Sequence, residues 1–191
     1  MSHTLLLDAR VWRLLVLADR DLAAEARAAR CPCGGALHSA RYRRKPRGGP
    51  PADVSEASAW RESLCCAREG CRRRTTPPSL RFLGRRVYLG AVVVLVSAMT
   101  GGVTAKRAAA MRELVGVSIR TLQRWRAWWL ETFPRTAFWT EARARFAPPV
   151  AERCLPASLV ERFTVTPGDD VEPCLRFLAP ITTRGGCAMA P

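Results

Sequence analysis

Two short cysteine clusters constrain this chain more than any other feature. Cys31-Pro-Cys33-Gly-Gly and Cys65-Cys66-Ala-Arg-Glu-Gly-Cys71-Arg-Arg-Arg lie about thirty residues apart, in a stretch rich in Cys, Gly, Pro and Arg that needs a metal to organise it. Tetrahedral zinc takes four soft ligands, and two tight turns set on two hairpins supply them without a large fold. Gly34 and Gly35 allow the positive backbone angles of the first turn, as Gly70 does beside Cys71. The expected ligands are Cys31, Cys33, Cys66 and Cys71, because Cys66 and Cys71 flank a four-residue turn. Cys65 points to the opposite side if this segment is a strand. Cys65 and His38 stand as alternates, since the first cluster has one residue between its cysteines where two are usual. Four protein ligands leave no open coordination position, so Zn2+ is expected to be structural and not to activate water. Cys154, Cys174 and Cys187 follow no such pattern and read as ordinary thiols.

Eight cysteines also fit a secreted disulfide scaffold. Against that, Asp8 and Arg13 break up the apolar residues near the start, where a secretory signal needs an uninterrupted apolar stretch. The expected setting is a reducing cytoplasm, in association with the nucleoid, where clustered cysteines more often bind metal than form bridges.

The second constraint is charge. Lys and Arg number 31 against 16 Asp and Glu, a net +15, which favours polyanionic partners through counterion release. Only Lys45 and Lys106 are lysines. A GC-rich genome accounts for Arg over Lys but not for the excess of base over acid. With 191 residues, 48% of them hydrophobic, the chain can bury one modest core or two small ones.

The fold expected is mainly α with a small zinc ribbon. Residues 1–30 read as an amphipathic helix, because Leu7, Val11, Leu14, Leu15, Ala18 and Leu22 recur at spacings of three and four. Residues 31–78 form the ribbon, with an irregular loop at Pro46-Arg47-Gly48-Gly49-Pro50-Pro51. Residues 79–135 hold three helices, Arg85 to Met99, Thr104 to Leu114 and Ser118 to about Phe133, the last ended by Pro134. The run from Val87 to Val103 is interrupted by Ser97, Thr100, Gly101 and Gly102, so a buried helix is expected there and no membrane span. Residues 136–191 are punctuated by proline, with one short helix at Ala157 to Phe163, and are expected to form a loosely ordered tail.

Between Ala108 and Ala127 the pattern narrows to a helix-turn-helix. Met111, Val115, Val117, Leu122 and Trp125 fall where two such helices pack, Gly116 sits where the turn needs a left-handed residue, and Ser118 caps the second helix. Arg112 departs from the usual pattern, which has Ala at the close approach. The second helix would enter the major groove and present Ser118, Ile119, Arg120, Gln123 and Arg124 to bases or phosphates. Arg suits guanine and Gln suits adenine. Lys106, Arg107, Arg112 and Arg126 are candidates for backbone contacts. Trp125, Trp128 and Trp129 share one helical face and read as core. Arg41, Arg43, Arg44, Lys45 and Arg47, with Arg72, Arg73 and Arg74 after the second cluster, form a phosphate-binding patch if the metal draws the two runs together.

These residues resemble the N-terminal half of zinc-ribbon transposases from bacterial insertion sequences. Cys31-Pro-Cys33-Gly, His38 followed by a basic run, Cys66-x-x-x-x-Cys71-Arg-Arg-Arg-Thr and Gly-Val-Ser-Ile-Arg-Thr-Leu-Gln-Arg-Trp carry the resemblance, which runs from Cys31 to about Trp129. It implies that the ribbon and helix-turn-helix bind the terminal repeats of an element. A nuclease-like domain with three carboxylates follows in that family. Here the residues beyond Pro134 are too few for it, and Glu141, Glu152, Glu161, Asp169 and Asp170 lie in proline-broken sequence.

The expected function is sequence-specific binding of double-stranded DNA, as a mobile-element accessory, regulator or truncated transposase, without enzymatic activity. The alternative is a zinc-ribbon adaptor that docks a separately encoded recombinase or transposase subunit. A homodimer is a further possible partner.

Overall fold

The computed structural model describes residues 8–44, 52–82, 116–163 and 171–183, together with Val94, Thr104, Ala109, Arg112 and Glu113. The expected helices over 85–99 and 104–114 therefore lie outside the described residues except at those positions. Val94, Ala109, Arg112 and Glu113 are helical, and Val94 is fully buried.

Helix α1 spans Ala9–Ala28 and starts at Asp8, whose carboxylate accepts the Arg10 N–H at 2.8 Å. Val11, Trp12, Leu15, Val16, Ala18, Asp19 and Ala23 form its buried face. The expected stripe is shifted: Trp12 and Val16 turn inward, which rolls Leu14 and Leu17 out to 38% and 53% exposure.

Five short strands follow. β1 (Leu37–Ser39), β4 (Leu64–Cys66) and β5 (Arg74–Thr75) make an antiparallel sheet in the order β1-β4-β5. β2 (Tyr42–Arg43) and β3 (Trp60–Arg61) make a separate antiparallel pair. Between β2 and β3 lies helix α2 (Ala52–Ala59), which packs along α1 and carries the Arg13–Asp53 ion pair at 2.9 Å. This helix is absent from the ribbon expected over 31–78. Its run of small and β-branched residues has no strong amphipathic signature, and it forms because α1 covers one side.

Beyond β5 the chain is pinned to α1. Asp19 Oδ1 accepts the Leu80 N–H, and Oδ2 accepts from Ser79 Oγ and Arg81 Nε. Arg81 donates its other N–H groups to the carbonyls of Ala57, Ser58 and Trp60, so one buried guanidinium joins α1, α2 and β3.

Helix α3 (Ile119–Ala127) continues as a π-helical turn over Trp128–Thr132 and a 3-10 turn over Phe133–Arg135. Trp125, Trp128 and Trp129 are all buried, as their shared face implies. Trp128, Trp129, Phe133 and Trp139 form an aromatic core of ring centroids 4.7 to 5.4 Å apart between neighbours.

Over its described residues, 136–163 and 171–183, the C-terminal stretch is not the loosely ordered tail expected. α4 (Ala137–Ala142), α5 (Ala157–Val160), α6 (Glu172–Leu178) and intervening 3-10 turns place Trp139, Leu155, Leu159, Val171, Leu175, Leu178 and Ile181 in the same core as Trp12 and Trp129. Prolines 134, 173 and 180 sit in the first turn of helical segments, where the missing N–H costs nothing, so they start structure and do not exclude it. Thr182 Oγ1 closes the packing by accepting the Ser79 N–H.

Candidate metal centre and nucleic-acid interface

The four sulfur atoms of Cys31, Cys33, Cys66 and Cys71 all lie within 4.8 Å of one another. Cys31 comes from the turn after α1, Cys33 from the same turn, Cys66 from the end of β4, and Cys71 from the turn into β5. Pairing of Leu37 with Cys66 across β1 and β4 brings the two turns to one end of the sheet. Cys31 and Cys71 sulfurs are 3.8 Å apart, and those of Cys33 and Cys66 are 3.5 Å apart. A tetrahedron with Zn–S bonds of about 2.3 Å has edges of about 3.8 Å, so the thiols fit a structural zinc ion.

The turns are built for this approach. Gly34 has φ +82 and Gly70 φ +83, with the Gly34 N–H bonded to the Cys31 carbonyl at 2.7 Å and the Cys71 N–H to that of Arg68 at 3.1 Å. Gly35 fills a different need: a Cβ there would stand 2.6 Å from Cys66 Sγ and 3.1 Å from Arg68 Cβ. Backbone N–H groups face the sulfurs. The Gly35 N–H and then the neighbouring thiols bring the Cys33 thiol down to about 6. Arg68 N–H favours the ionised form of Cys66, but burial and the surrounding thiols outweigh it and push that group up to about 12. Cys31 is raised likewise: the Cys33 N–H favours its thiolate, and burial with the adjoining thiols prevails. A cation among them supplies the positive charge that four thiolates need to coexist.

The alternates lie elsewhere. His38 and Cys65 are partners across β1 and β4, one register step from the Leu37–Cys66 pair, and so project from the other face of the sheet. His38 is exposed, and the Cys65 thiol lies within reach of the carbonyls of Arg72 and Cys66, 3.7 and 3.8 Å away, for its one S–H to donate to. Cys154 is exposed, and burial pushes Cys174 up to about 12.

The basic residues divide. Arg72, Arg73 and Arg74 are exposed beside the metal turn. Arg43 is exposed but bound to Glu56 at 2.6 Å. Arg44 departs from expectation: it is half-buried with its guanidinium 5.9 Å from the Phe82 ring centroid, because strand alternation turns it inward while Arg43 turns out. Lys106 and Arg107 lie outside the described residues. Arg41, of the same basic run, lies 5.0 Å over the Trp60 ring.

Around α3, Gly116 has φ +66 and its N–H bonds the Arg112 carbonyl at 2.9 Å. Ser118 caps α3 by accepting the Thr121 N–H. Val117, Leu122 and Trp125 are buried, whereas Ser118, Ile119, Arg120, Gln123, Arg124 and Arg126 are exposed, as is Arg112. Met111 and Val115 lie outside the described residues. No helix among the described residues is long and apolar enough to cross a membrane.

No protein-family model matches the chain, and no curated protein or solved structure matches it significantly.

Proposed function

We propose that this chain is a sequence-specific double-stranded DNA-binding protein, with a structural zinc ribbon and a helix-turn-helix whose second helix is α3. The observation that carries this reading is the division of α3: a left-handed Gly116 and a Ser118 cap precede a nine-residue helix that buries Leu122 and Trp125 and presents Arg120, Gln123 and Arg124 to solvent. Such a helix fits the major groove, with Arg120 and Gln123 as base readers and Ile119 available for a thymine methyl. Arg72, Arg73 and Arg74 supply phosphate contacts from the ribbon, and the net charge of +15 supports a polyanionic partner. Zn2+ on Cys31, Cys33, Cys66 and Cys71 holds the ribbon and takes no part in chemistry. The resemblance of its motifs to those of insertion-sequence transposases favours a role as a mobile-element accessory, regulator or truncated transposase that binds without cutting, in a cytoplasmic setting.

The test selects a preferred duplex from a random pool and measures binding to it and to scrambled DNA. Arg120→Ala and Gln123→Ala are each expected to cost about 1–3 kcal/mol on the preferred site alone. Equal losses on every sequence remove the base-reading role.

A second reading, an adaptor for a recombinase or transposase subunit or for a second copy of the chain, is favoured by one observation, the exposure of Leu14 and Leu17 on α1. A co-purifying protein partner without any DNA shift supports it.

A further inference from the structure

Arg30 and Arg72 have positive φ, 59 and 44, and among the described residues they are the two non-glycine residues that do. In that region an L side chain crowds the carbonyl that follows it, so glycine is the residue that fits. Both positions are ones that glycine usually takes. Arg30 follows Ala29, the C-cap of α1, and its N–H bonds the Arg27 carbonyl at 3.1 Å. Arg72 follows Cys71 as Gly34 follows Cys33, and Gly34 meets the same demand at φ +82 without a side chain. Two arginines stand where the backbone alone selects glycine.

Local structure does not account for them. The helix dipole favours a cation at the end of α1, but Arg27 supplies one from the last turn. The Arg72 N–H closes its turn on the Arg68 carbonyl at 3.3 Å, a bond that glycine makes equally well. What the two arginines share is their place at the metal site. Each adjoins a ligand, and the sulfurs of those ligands, Cys31 and Cys71, are 3.8 Å apart. Arg68 links the two turns: its Nη1 donates to the Cys33 carbonyl at 2.9 Å, while Arg30 Nη1 lies 3.5 Å from the next carbonyl, that of Gly34. Guanidinium groups from both cysteine segments thus meet over consecutive carbonyls, and Arg30, Arg68 and Arg72 are all exposed. Residues 30–35 and 66–74 hold five arginines against one acid, the exposed Glu69.

We infer that Arg30 and Arg72, with Arg68 linking their turns, clamp the phosphate backbone of duplex DNA at the metal turn, and that their strained backbone is retained for this contact. The inference rests on the DNA-binding reading of α3 and extends the interface to the end of α1. Exposed guanidinium forks suit a phosphate that belongs to a chain.

Arg30→Gly and Arg72→Gly, singly and together in the full zinc-loaded chain, separate a binding role from a structural one, because glycine relieves the backbone while it removes the charge. Each variant is expected to keep stoichiometric zinc and to melt no lower than the wild type. Fluorescence anisotropy should show weaker binding, alike on the preferred and on scrambled duplexes. The slope of log K against log salt should fall by about 0.9 in each single variant and about 1.8 in the double. Unchanged affinity and slope in the variants, with the wild type bound to DNA, overturns the clamp and leaves the reading of α3 standing. No binding of duplex by the wild type overturns both. A lower Tm or lost zinc in either single variant shows that the arginine serves the fold at that position, and overturns the inference as well.

Discussion

Asp19 and Arg81 form an ion pair that is almost entirely removed from solvent, with Nε and Oδ2 2.9 Å apart and side-chain exposures of 0% and 1%. The pair joins the first helix to the segment that leaves the ribbon, sixty-two residues later in the chain. Removing one partner leaves a buried charge without compensation, which costs far more than the pair contributes over an apolar replacement. Asp19→Ala is expected to lower stability by about 3–5 kcal/mol in chemical denaturation. The double variant Asp19→Leu with Arg81→Met should lose less than the sum of the single changes, with a coupling of about 0.5–3 kcal/mol. Strict additivity would mean that the two groups act separately.

Gly34 and Gly35 are adjacent but are required for different reasons, and substitutions separate them. Gly34 has φ +82 with open space where a Cβ would stand, so Gly34→Ala meets only the left-handed backbone cost of about 1–2 kcal/mol. Gly35→Ala drives a methyl against Cys66 Sγ and displaces a metal ligand. Zinc affinity, measured by competition with a chromophoric chelator, should fall about 10–100-fold for Gly35→Ala, the range seen when groups supporting a ligand are altered. It should change little for Gly34→Ala.

The ribbon was legible in the sequence because cysteine spacing and turn glycines are local signals. Ser118, Gly116 and the buried Leu122 and Trp125 were legible for the same reason. The C-terminal stretch was not. Leu159, Leu175 and Leu178 enter the core from elements of four to seven residues and Val171 from the cap of one of them, too short to display a period, and proline reads as a breaker there although Pro173 begins a helical turn. Arg44 was misplaced because a run of basic residues looks uniformly solvated, while in a strand every second side chain turns inward. Arg81 and Asp19 carried no local signal at all, since their partnership depends on the packing of α1 against distant backbone.

If the chain binds DNA as proposed, the same division of arginines separates binding from stability. Arg72, Arg73 and Arg74 are exposed beside the metal turn, whereas Arg44 rests on Phe82. Replacing the three exposed residues with Ala should weaken binding to all duplexes alike and reduce the slope of log K against log salt by about 0.9 for each lost phosphate contact. Arg44→Ala should leave that slope unchanged and lower Tm. Fluorescence anisotropy at several salt concentrations, with a thermal melt of each variant, distinguishes the two, and a slope change in Arg44→Ala alone would reverse the assignment.

Metal removal should divide the molecule along the boundary between its two apolar clusters. Cys31, Leu37, Leu64 and Cys66 form a cluster too small to persist once the ion that joins its turns is withdrawn. Trp12, Trp125, Trp129, Phe133, Trp139 and Leu178 belong to the other, which draws on α1, α3, α4 and α6 and contains none of the four ligands. A strong chelator is therefore expected to abolish amide protection in β1, β4 and β5 while most of the helical circular dichroism and the buried-tryptophan emission persist. Asp19 and Arg81 keep α1 and α2 joined in that state, so protection of α2 should outlast that of β4. Hydrogen exchange resolved by residue checks the order of loss. Simultaneous collapse of both clusters on chelation would show that the metal supports the whole fold and that the aromatic core does not stand by itself.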